Sequence, residues 1–108
     1  MLEIKTNEEL EKVFSENESK LVVLKFSGSW CGPCRVLANT IEEIKPDLQD
    51  VIFVEADIDE VDSELIEKYK IMNIPVLIFF KDGLQVDKSV GNVPKANLLS
   101  MIERNKGA

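Results

Sequence analysis

The sequence has no histidine and only two cysteines among its 108 residues. A zinc site takes four ligands, so this supply excludes one within a single chain and leaves only a metal or an iron–sulfur cluster shared by two chains. No apolar run approaches the roughly 20 residues of a membrane-spanning helix. The opening segment MLEIKTNEEL also has no basic stretch followed by an apolar one. We therefore expect neither a signal peptide nor membrane association, and a cytoplasmic location.

Basic residues are also scarce, since 13 lysines and arginines stand against 20 acidic residues and give a net charge of −7. An acidic surface repels phosphate backbones, so we expect no nucleic-acid partner. Hydrophobic residues make up 44% of the chain, enough for a buried core, and no repeat or linker interrupts it. The sequence therefore predicts one domain over residues 1–108, acting as a monomer.

Hydrophobic patterning predicts the order β-α-β-α-β-α-β-β-α. Strands are expected at 2–5, 21–27, 51–58 and twice within 76–90, and helices at 6–17, from Cys34 through Leu48, at 62–69 and at 92–105. This alternation predicts an α/β fold with a mostly parallel sheet covered on both faces, and the turn pair Asp82-Gly83 adds an antiparallel edge.

Single residues refine three of the predicted helices. Thr6 and Glu9 have the spacing of a capping box, which places a helix start at that point. Pro46 should kink the second helix or split its last turn, because proline cannot donate a backbone hydrogen bond. Pro94 suits the first turn of the last helix.

Both cysteines lie in the segment SGSWCGPCR, at residues 27–35, between a predicted strand and a predicted helix. In a reducing compartment such a pair is catalytic or metal-binding rather than a structural disulfide. The alternative is that the two cysteines are simply small hydrophobic residues of the core. At a helix start, unpaired N–H groups and the helix dipole favour the thiolate of Cys31. Cys34, one turn later, should be more buried. The spacing predicts that Cys31 attacks a substrate disulfide and that Cys34 resolves the mixed disulfide.

The motif WCGPC is the active-site motif of thioredoxins, and the chain resembles that family from end to end. The segments VLKFSGSWCGPC and NIPVLIFFKDG also match family segments. The resemblance implies a thioredoxin fold, a central mixed sheet of about five strands flanked by about four helices on both faces. It also implies reduction of protein disulfides without a cofactor, since the electrons reside on Cys31 and Cys34. The implied partners are a thioredoxin reductase and diverse disulfide-containing proteins.

The resemblance further assigns residues around the cysteines. Trp30 is expected to form a partly exposed wall for substrate rather than a core tryptophan. Pro75 is expected to follow a cis peptide bond, which would set the backbone of Ile74 beside Cys31 for pairing with an extended substrate. Gly91 would let that backbone approach, although a plain turn glycine is the alternative. Gly32 and Pro33 shape the loop between the cysteines.

Two charged residues depart from the family pattern. Lys25 stands where the family carries a buried aspartate that moves a proton for the second cysteine, and Glu55 stands where some members have a lysine. We hypothesise a Lys25–Glu55 pair beneath the active site; the alternative is a lysine that reaches solvent from a strand end. A buried, charged Lys25 would favour thiolates and make the protein a stronger oxidant. The acidic segment EADIDEVDSE raises the alternative of a calcium site, but it lacks the glycine and the terminal glutamate of an EF-hand loop in register, so it is interpreted as a solvated turn and helix start.

Three rival functions remain open at this point. A disulfide oxidant or isomerase more often has histidine between its cysteines, and Gly32-Pro33 argues against it. A glutaredoxin has a different loop between its cysteines and a basic site for glutathione, and neither feature is evident in this sequence. A non-catalytic thioredoxin-fold binding subunit would use Trp30, Ile74 and Gly91 to hold a partner without turnover.

Overall fold

Residues 1–107, the part of the chain that the computed structural model describes, form a five-stranded mixed sheet and four α-helices. The elements are β1 (Leu2–Glu3), α1 (Asn7–Glu16), β2 (Leu21–Ser27), α2 (Gly32–Ile44), β3 (Val51–Asp57), α3 (Ser63–Lys68), β4 (Val76–Lys81), β5 (Leu84–Val90) and α4 (Lys95–Lys106). Both the predicted order and the predicted mixed sheet are confirmed. No helix within these residues is long and apolar enough to cross a membrane.

The strands lie in the order β1-β3-β2-β4-β5. Strands β1 and β2 run parallel to β3, whereas β4 runs antiparallel to both β2 and β5. The expectation of a mostly parallel sheet was therefore wrong, because the antiparallel part extends inward to the β2–β4 pair.

The connection between β3 and β4 returns to the end of the sheet where it began. It consists of residues 58–75 and contains only the short helix α3 (Ser63–Lys68). The chain stays at the end of the sheet where β2 and β3 finish, and β4 starts there and runs back antiparallel to β2. As a result, the residues after β2 and the residues before β4 meet at one edge.

Helices cover both faces of the sheet, as predicted. Alternate side chains of the central strand β2 point to opposite faces, so Leu24 joins one buried cluster and Val23 the other. The first cluster includes side chains of α1 and α3, among them Leu10 and Leu65. The second includes Leu37, Ile41, Leu98 and Ile102 of α2 and α4. The two helix layers pack on opposite faces of β2 and hold this strand in place. Because α2 follows β2 in the chain, the position of its first turn is held as well.

The local signals at helix ends are partly confirmed. Thr6 and Glu9 form the predicted capping box, with the Glu9 N–H donating to Thr6 Oγ1 over 3.1 Å. The second helix ends at Ile44 and a 3₁₀ turn, Lys45–Asp47, contains Pro46, so the prediction that Leu48 belongs to the helix was wrong. Proline lacks the N–H that the next α-helical bond needs. Pro94 is the N-cap of α4 rather than part of its first turn.

Candidate active site

Cys31 connects β2 to α2 and caps the helix. Its backbone is extended, with φ −93° and ψ 110°, and its Sγ accepts a hydrogen bond from the Cys34 N–H over 3.1 Å. The first N–H groups of a helix have no partner within the helix. Pro33, inside the first turn, removes one of these donors without loss. The sulfur of Cys31 therefore lies at the positive end of the helix dipole and already receives a donor.

A disulfide bond joins Cys31 to Cys34, with Cα atoms 5.2 Å apart. Cys31 is 6% exposed and Cys34 2%, the order that the sequence predicts. Gly32 and Pro33 between them are exposed. The cysteines are therefore a bonded pair at the surface end of a helix rather than two separate core residues, and Cys31 is the more accessible.

Trp30 lies on the surface directly before the pair. Its side chain is 65% exposed, which contradicts the alternative of a core tryptophan. The indole Nε1–H donates to Asp59 Oδ2 over 3.0 Å, and the Asp59 N–H donates to Asp57 Oδ1 over 2.9 Å. A turn at the end of β3 thus holds the ring against the loop, which needs Gly28 beneath it. A Cβ on Gly28 would lie 3.1 Å from the indole and from Ile74 Cδ1.

An apolar groove lies beside Trp30, and we call it the apolar groove. It has a volume of about 330 Å³ and is lined by Trp30, Ile58, Ile66, Ile71, Met72, Asn73 and Ile74. The Ile74–Pro75 peptide bond is cis. The Pro75 carbonyl accepts the Gly91 N–H over 2.7 Å, and Gly91 has φ +88°, a conformation that favours glycine. Three parts of the chain thus contribute to this region, namely Trp30, the Ile74–Pro75 pair and Gly91.

A second cavity, which we call the sulfur cavity, extends under the disulfide. Its volume is about 210 Å³, and its lining includes Cys31, Cys34, Lys25, Ser27, Glu55, Arg35 and Asp57. Lys25 is 2% exposed, so its side chain does not extend into solvent from a strand end. Its Nζ lies 4.0 Å from Glu55 Oε1, and Ser27 Oγ donates to the same oxygen over 2.7 Å. Lys25 and Glu55 are register partners on the parallel strands β2 and β3.

Burial dominates the electrostatics of the lysine. Desolvation lowers the pKa of Lys25 below its ordinary value, and the Glu55 carboxylate opposes that shift in part. The Glu55 side chain is 27% exposed, so water screens its attraction for the ammonium. The sulfur cavity is therefore lined by a lysine whose side chain is almost entirely buried and whose counter-ion, Glu55, lies nearer to solvent.

Comparison with known proteins agrees with this geometry. The family model Thioredoxin matches residues 2–104. The chain belongs to the thioredoxin family. The thioredoxin of Mycoplasmoides gallisepticum is 39% identical over 103 residues, which cover 95% of this chain and 100% of that protein. A Staphylococcus aureus thioredoxin is 40% identical over 92 residues, covering 84% of this chain and 88% of the relative.

Solved thioredoxin structures have the same fold. The X-ray structure of Fasciola hepatica thioredoxin superposes with a TM-score of 0.89 at 35% identity, covering 96% of this chain and 98% of that one. With the bonded pair Cys31–Cys34, membership of this family makes the chain a thiol–disulfide oxidoreductase with protein-disulfide reductase activity. Thioredoxins are generally reduced by a thioredoxin reductase, and they need no cofactor. Residues 1–107 contain no group of three or more His, Cys, Asp or Glu side chains placed to hold a metal.

Sequence reasoning missed two acidic neighbours of the site. Asp57 lines the sulfur cavity and Asp59 binds the Trp30 indole, yet both fall in the segment interpreted as a solvated turn. The signal available was the position of these aspartates, the last residue of β3 and the second residue after it, because β3 runs parallel to β2 and ends at the same edge. Of the remaining predicted residues, Gly32 and Pro33 lie between the cysteines, Trp30 and Ile74 line the apolar groove, and Pro75 and Gly91 are joined by a backbone hydrogen bond.

Proposed function

We propose that this thioredoxin-family protein reduces protein disulfides with Cys31 as nucleophile and Cys34 as resolving thiol. The Cys31 thiolate attacks one sulfur of the substrate disulfide, whose S–S bond breaks and releases one substrate thiolate. The Cys34 thiolate then attacks Cys31 Sγ, the mixed disulfide breaks, and the second substrate thiolate leaves. Two electrons pass to the substrate, and the Cys31–Cys34 disulfide remains.

The observation that carries this assignment is the Cys34 N–H donating to Cys31 Sγ at the start of α2. The same donor that contacts the disulfide sulfur stabilises a thiolate there after reduction, because a hydrogen bond to the charged form lowers a thiol pKa. Cys34 is the third residue of α2 rather than its N-cap, and it is more buried than Cys31. The roles of the two thiols therefore follow from their positions.

We assign substrate binding to the groove edge beside the nucleophile. An extended segment around the substrate disulfide would pair with the backbone of Ile74 and Pro75 by strand addition. Trp30 and Ile74 supply the apolar contact. Nothing lies within 4 Å of a Cβ placed on Gly91, which supports room for a second backbone there.

We further propose that the chain acts as a monomeric single domain in the cytoplasm and needs no cofactor. Its electrons would come from a thioredoxin reductase, and its substrates would be diverse disulfide-containing proteins. The net charge of −7 and the absence of a long apolar run support a partner set without nucleic acid or membrane.

Paired cysteine variants test the two roles. Cys34→Ser should accumulate a mixed disulfide between Cys31 and a disulfide-linked protein such as insulin, whereas Cys31→Ser should trap none. Both variants should lose catalysis of insulin reduction with dithiothreitol as electron donor. Retained catalysis in Cys31→Ser, or a mixed disulfide on Cys34 alone, would refute the assignment.

The buried Lys25 supports one second candidate, a disulfide oxidant, because a cation beside the pair favours the dithiolate form. Equilibrating the wild-type protein with glutathione redox buffers separates the two directions. A reduction potential well below the cytosolic glutathione poise supports the reductase, and one above it reassigns the protein to oxidation or isomerisation.

A further inference from the structure

The ammonium of Lys25 is incompletely compensated in the disulfide form. It is 2% exposed, and its nearest carboxylate oxygen, Glu55 Oε1, is 4.0 Å away and already accepts the Ser27 hydroxyl. A buried charge without a close partner is costly. A negative charge that forms on the same cavity would therefore be stabilised by this group.

The groups able to supply such a charge are the two sulfurs. Cys31 and Cys34 line the sulfur cavity together with Lys25, and both sulfurs are neutral while they are bonded to each other. Reduction creates thiols that can ionise on the same cavity as the ammonium. Cys34, at 2% exposure, has little water to stabilise its thiolate and so depends on a protein charge.

Three other charged groups face this cavity. Glu55 and Asp57 extend from β3, and Arg35 extends from α2. The two carboxylates oppose a thiolate but are partly exposed, and Arg35 is exposed, so water screens all three. Lys25 is the cation that solvent screens least among the groups described on this cavity.

We propose that Lys25 is the positioning residue that stabilises the Cys34 thiolate in the resolving step and so shifts the cysteine pair toward its dithiol form. The inference rests on the proposed roles of the two thiols. In the step, the Cys34 thiol loses its proton to solvent, and the thiolate attacks Cys31 Sγ. The substrate thiolate leaves, and Lys25 keeps its own proton throughout. Glu55 accepts the Ser27 hydroxyl and stays paired with the ammonium on the side that faces solvent.

The first test removes the cation while keeping the side-chain volume. In a Cys31→Ser background, Lys25→Met should raise the pH midpoint of Cys34 ionisation by about one unit, followed by thiolate ultraviolet absorbance. The midpoint is measured rather than one rate, because thiol nucleophilicity itself changes with pKa. The matched control Arg35→Met removes the exposed cation of the same cavity. It should shift the midpoint by less than about half a pH unit, which corresponds to a threefold change in the thiolate-to-thiol ratio.

The same substitution should change the redox equilibrium of the otherwise unmodified protein. At a pH above the Cys34 midpoints of both proteins, where the thiolate is formed, Lys25→Met should favour the disulfide form about tenfold over wild type in a glutathione buffer, a fall in potential of about 30 mV. An unchanged midpoint and an unchanged equilibrium in Lys25→Met would overturn the inference. Equal shifts in Arg35→Met and Lys25→Met would also overturn it, since general surface charge would then explain both.

A measurement on the wild-type protein covers the case in which Lys25→Met does not fold. Linkage is reciprocal, so a thiolate that Lys25 stabilises must also stabilise the charged form of Lys25. Titration of the Lys25 Nζ resonance by NMR should therefore give a higher midpoint in the reduced protein than in the oxidised one. Equal midpoints would refute the inference. Because mixed-disulfide trapping by Cys34→Ser does not depend on Lys25, these failures would leave the proposed function standing.

Discussion

Substitution of Gly28 by alanine tests how the loop before the cysteines holds its tryptophan. A Cβ at this position would lie 3.1 Å from Ile74 Cδ1 and 3.1 Å from two atoms of the Trp30 indole, closer than ordinary van der Waals contact. The indole is tied to Asp59 by its 3.0 Å hydrogen bond. The added methyl group must therefore displace the ring, the isoleucine or both by a few tenths of an ångström.

The net cost follows from two opposing terms. Overpacking by a methyl group costs about 1–3 kcal/mol, and the flexible end of Ile74 and the exposed ring of Trp30 place this site in the lower half of that range, at about 1.5–2 kcal/mol. Replacing glycine by alanine stiffens the unfolded chain and returns about 0.4–1 kcal/mol. We expect Gly28→Ala to lower the free energy of unfolding by about 1 kcal/mol, a fall in Tm of roughly 4 °C.

Gly32 provides the matched control, because nothing lies within 4 Å of a Cβ at that position and it begins α2. Gly32→Ala should raise the free energy of unfolding by about 0.4–1 kcal/mol. Urea unfolding followed by far-ultraviolet circular dichroism measures both variants, and the fluorescence of Trp30 reports displacement of its ring. If Gly28→Ala were as stable as Gly32→Ala and its Trp30 fluorescence were unchanged, the close contacts at Gly28 would not affect the free energy of unfolding, and the reasoning would be refuted.

Three further predictions concern the scaffold. Ile41→Ala in the fully buried face of α2 should cost about 2–5 kcal/mol in urea unfolding, while Val36→Ala, on its exposed face, should cost less than about 0.5; similar losses would contradict the packing. Thr6→Ala removes a capping-box acceptor and should cost about 1 kcal/mol by the same assay, and no loss would refute the capping role. Hydrogen bonds from Arg104 and Asn105 lower the pKa of Asp87. This stabilisation is complete above the unfolded pKa of about 4 and is lost as pH falls through the lower folded value, so Asp87→Asn should flatten the acid limb of a stability–pH profile.

The strongest sequence signals were local in character. The Thr6–Glu9 spacing predicted the start of α1, and Asp82-Gly83 predicted the β4–β5 turn, where Asp82 and Gly83 both have positive φ. These predictions succeeded because a capping box and a tight turn depend on residues within three or four positions of each other. The end of α2 was less accurate, since apolar spacing continued to Leu48 after Pro46 had stopped the helix.

The site was only partly predictable for a related reason. The helix start around Cys31 follows from neighbouring residues, but the contact between Trp30 and Asp59 joins positions that are 29 residues apart. Acidic residues in a turn have no local mark that separates a solvated aspartate from one that binds an indole. The pairing of Lys25 with Glu55 was a hypothesis whose distance of 4.0 Å depends on strand register.

The sequence by itself determined which segments become helices and strands, and that two thiols stand at a helix start, because these properties arise from short-range backbone chemistry. Only the tertiary structure determined that β4 runs antiparallel beside β2, since strand pairing depends on contacts between segments that are far apart in the sequence. The antiparallel direction of β4 also places Pro75 and Trp30 at the same edge of the sheet. The tertiary structure further buries Lys25 under the disulfide, because a strand position is buried or exposed according to what packs over it.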